Sequence, residues 1–204
     1  YTSSYGLTEF RQKICETTEK SRGFEPNLNQ VLVTPGANIA IFYAISCIVD
    51  PGEEVIVPDP GFPTYYSIIK MCNVVPVRVP LLESNKFRMN PKDIENSITE
   101  KTRMIVINSP QNPTGSVMTE EEIKMTYDIA KKHDLFLYSD EIYARMIYKD
   151  SAFNSPSIYD KCQERTILAN GFSKAFAMTG WRLGAVIGPP NVIEKMRLLL
   201  ETTS

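Results

Sequence analysis

The sequence is short of the residues that metal and disulfide scaffolds require. It holds one histidine, His133, and four cysteines, Cys15, Cys47, Cys72 and Cys162, with no C-x-x-C pair among them. A His-rich zinc site is excluded, no other metal-ligand spacing is present, and the cysteines read as reduced thiols of a cytoplasmic protein. Excess charge of one sign is also lacking: 22 basic against 24 acidic residues leave a formal net charge of −2. That balance supplies no field for nucleic acid or an anionic membrane, so the expected partner is a small molecule. Long apolar runs are missing as well. The longest, "IAIFYAISCIV", is too short to span a bilayer, and the N-terminus has no charged-then-apolar signal pattern. The opening "YTSSYGLTEFRQKI" is abrupt, and the expectation is that the native start lies further upstream. Internal repeats, low-complexity tracts and Gly/Ser linkers are absent, so one domain is expected over residues 1–204.

What is present is an ordinary globular composition, 43% hydrophobic and 23% charged, arranged in an alternating pattern. Short β-branched runs, "QVLVT", "EEVIVPD", "VVPVRVP", "RMIVINS", "LFLYSD", "RTILAN" and "LGAVIG", are separated by segments of helical length. Strands interleaved with helices predict an α/β domain with a mainly parallel sheet. The clearest helix is "MTEEEIKMTYDIAKKHD": Thr119 and Glu122 form a capping box, and Ile123, Tyr127 and Ala130 make one apolar face. Pro190 opens a final helix, "PPNVIEKMRLLLETTS", for which the sequence shows no following strand, turn or partner; the chain reads as cut in mid-protein.

Open parallel sheets bind ligands at the carboxyl ends of their strands, which directs attention to four segments. After "QVLVT", the small residues Gly36, Ala37 and Asn38 open an apolar helix whose free N–H groups and positive dipole end suit an anion such as phosphate; a simple strand-to-helix turn is the other reading. After "RMIVINS", the loop "PQNPTG" holds Asn112 between prolines, as a plain turn would too. After "LFLYS" comes "DEIYARMIY". A helical turn beginning there would put Asp140 and Tyr143 on one side, although Asp140 could equally be an N-cap. After "RTILAN" comes "NGFSKAFAMTGWRLG", with Lys174 in a small-residue setting and Arg182 beyond it. Burial and neighbouring positive charge would lower the pKa of such a lysine and free its amine to attack a carbonyl. A lysine nucleophile, a phosphate-suited helix start, a carboxylate, a phenol and an arginine on one sheet edge meet the needs of pyridoxal 5'-phosphate.

The segments "YTSSYGLTEFR", "TPGAN", "PDPGFPTYY", "NSPQNPTG", "SDEIY" and "GFSKAFAMTGWRLG", in that order, span the chain. On them the sequence resembles the large domain of the class I/II pyridoxal-phosphate aminotransferases of fold type I, the group of the aspartate and aromatic aminotransferases. The resemblance implies a three-layer α/β sandwich with a mainly parallel central sheet. It also implies a cytoplasmic homodimer that moves an amino group between an L-amino acid and a 2-oxo acid. By resemblance Lys174 carries the cofactor as a Schiff base and then serves as the general base. Asp140 pairs with the pyridine nitrogen, Tyr143 and Asn112 donate to the cofactor's 3'-oxygen, and Phe62 stacks on the ring. Gly36, Ala37, Asn38 and Arg182 hold the phosphate, as does the hydroxyl of Tyr1, which in the family reaches the neighbouring subunit's site; Ser173, just before Lys174, is a candidate substitute for the family's usual phosphate-binding serine or threonine.

The sequence departs from many family members at two phosphate contacts. Gly171 stands where a serine or threonine is common, three residues before the lysine, and Asn38 stands where Thr or Lys is frequent. The family's smaller domain, built from chain flanking this region, supplies the arginine that grips the substrate carboxylate. The resemblance therefore implies that residues 1–204 are about half of a complete enzyme. Two other functions fit the same motifs: a lyase or decarboxylase acting at the α-carbon, and an aminotransferase-like sensor domain of a transcription regulator.

Overall fold

The structure is a computed structural model that describes residues 3–148 and 151–203. Among them run seven strands: β1 (Val31–Thr34), β2 (Glu54–Asp59), β3 (Val75–Pro80), β4 (Thr102–Asn108), β5 (Phe136–Asp140), β6 (Thr166–Gly171) and β7 (Gly184–Ile187). They form one sheet in the order β1-β7-β6-β5-β4-β2-β3. Neighbours from β6 to β3 are parallel, while β7 runs antiparallel to both β1 and β6. Each strand lies on one of the seven β-branched runs of the sequence.

Those runs are apolar at nearly every position because helices cover both faces of the sheet. On β4, Met104 and Val106 point to one face and Ile105 and Ile107 to the other, and all four are fully buried. Each such side chain contributes about 1.5–3 kcal/mol relative to exposure. The first face packs α2 (Asn38–Ile48), α3 (Pro63–Met71) and α7 (Pro190–Thr203). The second packs α4 (Pro91–Asn96) and α5 (Glu120–Lys132). Toward β6, β7 and β1 that second face is covered by α1 (Thr8–Arg22), through Ile14 and Cys15. A short helix, α6 (Ser157–Asp160), precedes β6. The result is a three-layer α/β sandwich.

Local sequence explains the helix boundaries. The Thr119 hydroxyl accepts from the Glu122 amide at 3.2 Å, and the Glu122 carboxylate accepts from the Thr119 amide at 2.9 Å, which closes the capping box of α5. Ile123, Tyr127 and Ala130 are buried on its inner face. Pro63, Pro91 and Pro190 open α3, α4 and α7, where a missing N–H costs nothing. The sequence reading left α7 without a partner, and the structure corrects this. Val192, Ile193 and Met196 pack into the same core as α2, while Tyr5 donates to Glu194 and lies between the guanidinium groups of Arg11 and Arg197, 4.5 and 5.4 Å from its ring. Period-3.6 patterning shows which face of a helix is apolar but not what covers it. Among the described residues no helix is long and apolar enough to cross a membrane.

Candidate active site

The carboxyl ends of β2, β4, β5 and β6, the turn after β1 and the segment entering β7 surround a cavity of about 310 Å³. These segments meet there because β1, β2, β4, β5 and β6 all end on one edge of the sheet, and the antiparallel β7 starts on it. The turn after β1 contributes the start of α2. Gly36 has φ +86°, and a Cβ on it would lie 2.6 Å from Nη2 of Arg182, so glycine lets the guanidinium lie over the turn. Ala37 and Asn38 begin the helix with no side-chain cap, leaving first-turn amides and the positive dipole end directed to the cavity they line. Arg182, exposed and itself left-handed with φ +47°, donates from Nη1 to the Thr179 carbonyl at 3.0 Å.

The cavity wall opposite the helix start comes from β5. Alternation along the strand turns Tyr138 and Asp140 into the cavity and Ser139 and Glu141 away from it. The Asp140 carboxylate accepts from the Tyr65 hydroxyl at 2.6 Å through Oδ2 and from the Ile142 amide at 3.2 Å through Oδ1. Burial raises the pKa of this carboxyl, and those two donors oppose the rise. The same burial, with the charge of Asp140, holds the Tyr65 and Tyr138 phenols well above their ordinary pKa and raises that of Tyr143. All three stay neutral hydroxyl groups at neutral pH. The segment after Asp140 forms a turn in which the Ala144 amide donates to the Glu141 carbonyl at 2.9 Å, and it carries Tyr143 to the cavity. Asp140 thus both faces the cavity and caps that turn.

The loop after β4 is fixed from within. Asn108 donates to the Asp140 carbonyl at 3.0 Å and accepts from the Asn112 amide at 2.8 Å, which sets Asn112 at the cavity edge. Gln111 donates to the Pro60 carbonyl at 2.9 Å, tying this loop to the one that carries Phe62. Phe62 precedes α3, lines the cavity and meets the Tyr65 ring edge-on at 5.6 Å.

Ser173 and Lys174 lie in the turn beyond β6 and line the cavity from the remaining side. The sequence reading placed Lys174 in a buried setting; the structure corrects this, for Lys174 is exposed on the cavity rim. The reason is positional, since a turn past the end of a strand has no packed face. Gly171 is accounted for by space. A Cβ there would lie 2.8 Å from Cδ1 of Ile142 and 3.1 Å from Cβ of Ala37, so a serine or threonine at this position would require the end of the Ile142 side chain to shift and would crowd Ala37. Tyr1 lies outside the described residues. The other cavity-facing positions singled out from the sequence come together here, with Gly36 directly behind Ala37.

Sequence reasoning missed Tyr65, Tyr138 and Asn108. Two of them carried a signal: Tyr65 falls three residues after Phe62 at a helix start, and Tyr138 falls two before Asp140 on a strand. Asn108 carried none, because its role depends on which strand lies beside β4.

The family model described as aminotransferase class I and II matches residues 1–203. The chain belongs to that family. It is 43% identical over 197 residues to an aspartate aminotransferase of Pyrococcus abyssi, a match covering 96% of this chain and 51% of the relative. It is 39% identical over 197 residues to aromatic-amino-acid aminotransferase 2 of Thermococcus litoralis, covering 96% and 51%. Among solved structures, the aromatic aminotransferase from Pyrococcus horikoshii OT3 superposes with a TM-score of 0.96 at 40% identity, covering 99% of this chain and 54% of that one. The Thermus thermophilus aspartate aminotransferase with maleate superposes with a TM-score of 0.95 at 35% identity, covering 99% and 52%. The chain thus spans about half the length of the curated relatives it matches.

Proposed function

We propose that the protein is a pyridoxal 5'-phosphate-dependent aminotransferase that exchanges an amino group between an L-amino acid and a 2-oxo acid. Residues 1–204 are its cofactor-binding large domain, working in a cytoplasmic homodimer. Family membership supports the reaction class. The observation that carries the site is the donor set around one cavity: Lys174, Asp140, Tyr143, Asn112, Arg182 and the start of α2.

That set fits the cofactor group by group. An anionic phosphate suits the uncapped first turn of α2 together with the Arg182 guanidinium. A protonated pyridine nitrogen suits Asp140, whose charged form Tyr65 and the Ile142 amide favour against the larger effect of burial. A phenolic oxygen suits the Tyr143 hydroxyl, held neutral by its surroundings, and the Asn112 side chain. A flat ring suits the face of Phe62. The bound cofactor supplies an electron sink for negative charge at the substrate's α-carbon. Lys174 would provide the primary amine that binds the cofactor's aldehyde carbon and, with a substrate amine in its place there, would accept the α-proton at Nζ and return it. Its exposure on the rim leaves that nitrogen free to move between the two tasks. Asp140 would favour a proton on the ring nitrogen, and Arg182 with the α2 amides would anchor the phosphate and so fix the position of the ring.

The test is borohydride reduction of the protein incubated with pyridoxal 5'-phosphate, followed by peptide mapping. Label confined to Lys174, with transamination of an amino acid by the unreduced protein, is the expected result. Label spread over surface lysines would remove Lys174 from its role.

A further inference from the structure

One buried ion pair lies behind the cavity, on the opposite side of β5. The side chains of Arg22, at the end of α1, and Glu141, next to Asp140, are 7% and 1% exposed. Glu141 is fully engaged: Oε2 accepts from Nε of Arg22 at 2.9 Å and from its Nη2, and Oε1 accepts from the Ser139 hydroxyl at 3.0 Å and from the Ser155 hydroxyl. Arg22 is held in turn by the Ser21 hydroxyl at 2.8 Å and by the ring of Phe153, 5.5 Å from its guanidinium carbon. The main chain at this point is gripped as well. The Glu141 amide donates to the Ala169 carbonyl at 2.9 Å, and Asn108 donates to the Asp140 carbonyl at 3.0 Å.

We infer that Arg22 and Glu141 are a positioning pair for Asp140: the pair anchors the end of β5 so that the Asp140 carboxylate is aimed into the cavity, and Arg22 cancels the second carboxylate beside it. The inference rests on reading the cavity as a pyridoxal phosphate site with Asp140 at the ring nitrogen. Two physical arguments carry it. Asp140 is the last residue of β5, where the ladder ends, and an anchor one residue on fixes the direction of its side chain by strand alternation. Two adjacent carboxylates away from water cannot both remain charged without a counter-ion, and the fork of Arg22 supplies one from the far side of the strand. The charge of Glu141 is itself among the influences that raise the Asp140 carboxyl, after burial. Neither Arg22 nor Glu141 touches the cavity where the cofactor is placed.

A ligand that lacks the ring nitrogen separates positioning from bulk stability. Affinity is measured for pyridoxal 5'-phosphate and for its analogue with a carbon in place of that nitrogen, in the parent protein, Arg22→Met and Arg22→Lys. The parent should prefer the natural cofactor. Arg22→Met should lose about tenfold of that preference, the equivalent of one pKa unit at Asp140, while Arg22→Lys keeps it. Arg22→Met with the parent's preference, or with both ligands weakened by the same factor, would overturn the inference. If Arg22→Met does not fold, the double variant Arg22→Met/Glu141→Gln, which removes both charges together, replaces it. That variant removes both charges but keeps the acceptor for the Ser139 and Ser155 hydroxyls, so it should retain the preference, and a loss there overturns the charge argument. A parent protein that binds the two ligands equally, or neither, would instead overturn the assignment of Asp140 or of the site itself.

Discussion

Tyr65→Phe isolates what one hydroxyl does for the Asp140 carboxylate. The hydroxyl lies 2.6 Å from Oδ2 and Tyr65 is 2% exposed, so no bulk water stands ready to replace it. Phenylalanine keeps the ring and its edge-on contact with Phe62. A hydrogen bond to a charged group is worth about 1.5–3 kcal/mol, and one pKa unit corresponds to about 1.4 kcal/mol, so the Asp140 carboxyl should rise by roughly one to two units. The direction is upward because burial already raises this carboxyl and Tyr65 is the first of the two donors that oppose the rise. A carboxyl whose folded pKa lies above its unfolded value costs stability as pH climbs from the unfolded pKa through the folded one. Tyr65→Phe widens that interval. Its deficit against the parent should therefore be smallest near about pH 2.5, where the carboxyl is protonated in both states, and largest near about pH 8. Urea denaturation at the two pH values measures the deficit, and a carbon-13 titration of aspartate-labelled protein follows the carboxyl directly. An equal deficit at both pH values with an unmoved titration would refute the reasoning.

Two further perturbations probe the same cavity. Arg182→Ala should weaken binding of pyridoxal 5'-phosphate by about 1.5–3 kcal/mol, the worth of a charge-assisted contact, and should leave affinity for unphosphorylated pyridoxal nearly unchanged; equal losses for both ligands, read by fluorescence quenching, would remove Arg182 from the phosphate. Gly171→Ser should destabilise by about 1–3 kcal/mol because the end of the Ile142 side chain must shift and the new Cβ crowds that of Ala37. A melting temperature at or above that of the parent would show that this backbone can accommodate the side chain.

The sequence by itself determined the strands, the helix starts and the sheet edge on which to look for chemistry. A strand buried on both faces must be apolar along its buried stretch, as "MIVI" of β4 is, and a capping box such as Thr119 with Glu122 is satisfied within four residues, so both are written locally. Glycine and proline in "TPGAN" and "NSPQNPTG" marked the turns for the same reason. Motif order then pointed to the residues that line the cavity, because parallel strands deliver their carboxyl ends to one edge whatever the details of packing. What surrounds each of those residues was decided only by the tertiary structure. That Tyr65 from α3 reaches Asp140 on β5, that Asn108 from β4 braces both Asp140 and Asn112, and that Arg22 from α1 meets Glu141 just beyond β5 all depend on which elements become neighbours. Lys174 makes the same point in reverse: its chemistry suggested burial, and its place in a turn beyond β6 put it on the rim. Periodicity fixes the face on which a side chain lies, whereas its partners, burial and charge balance arise from long-range contacts that no local pattern encodes.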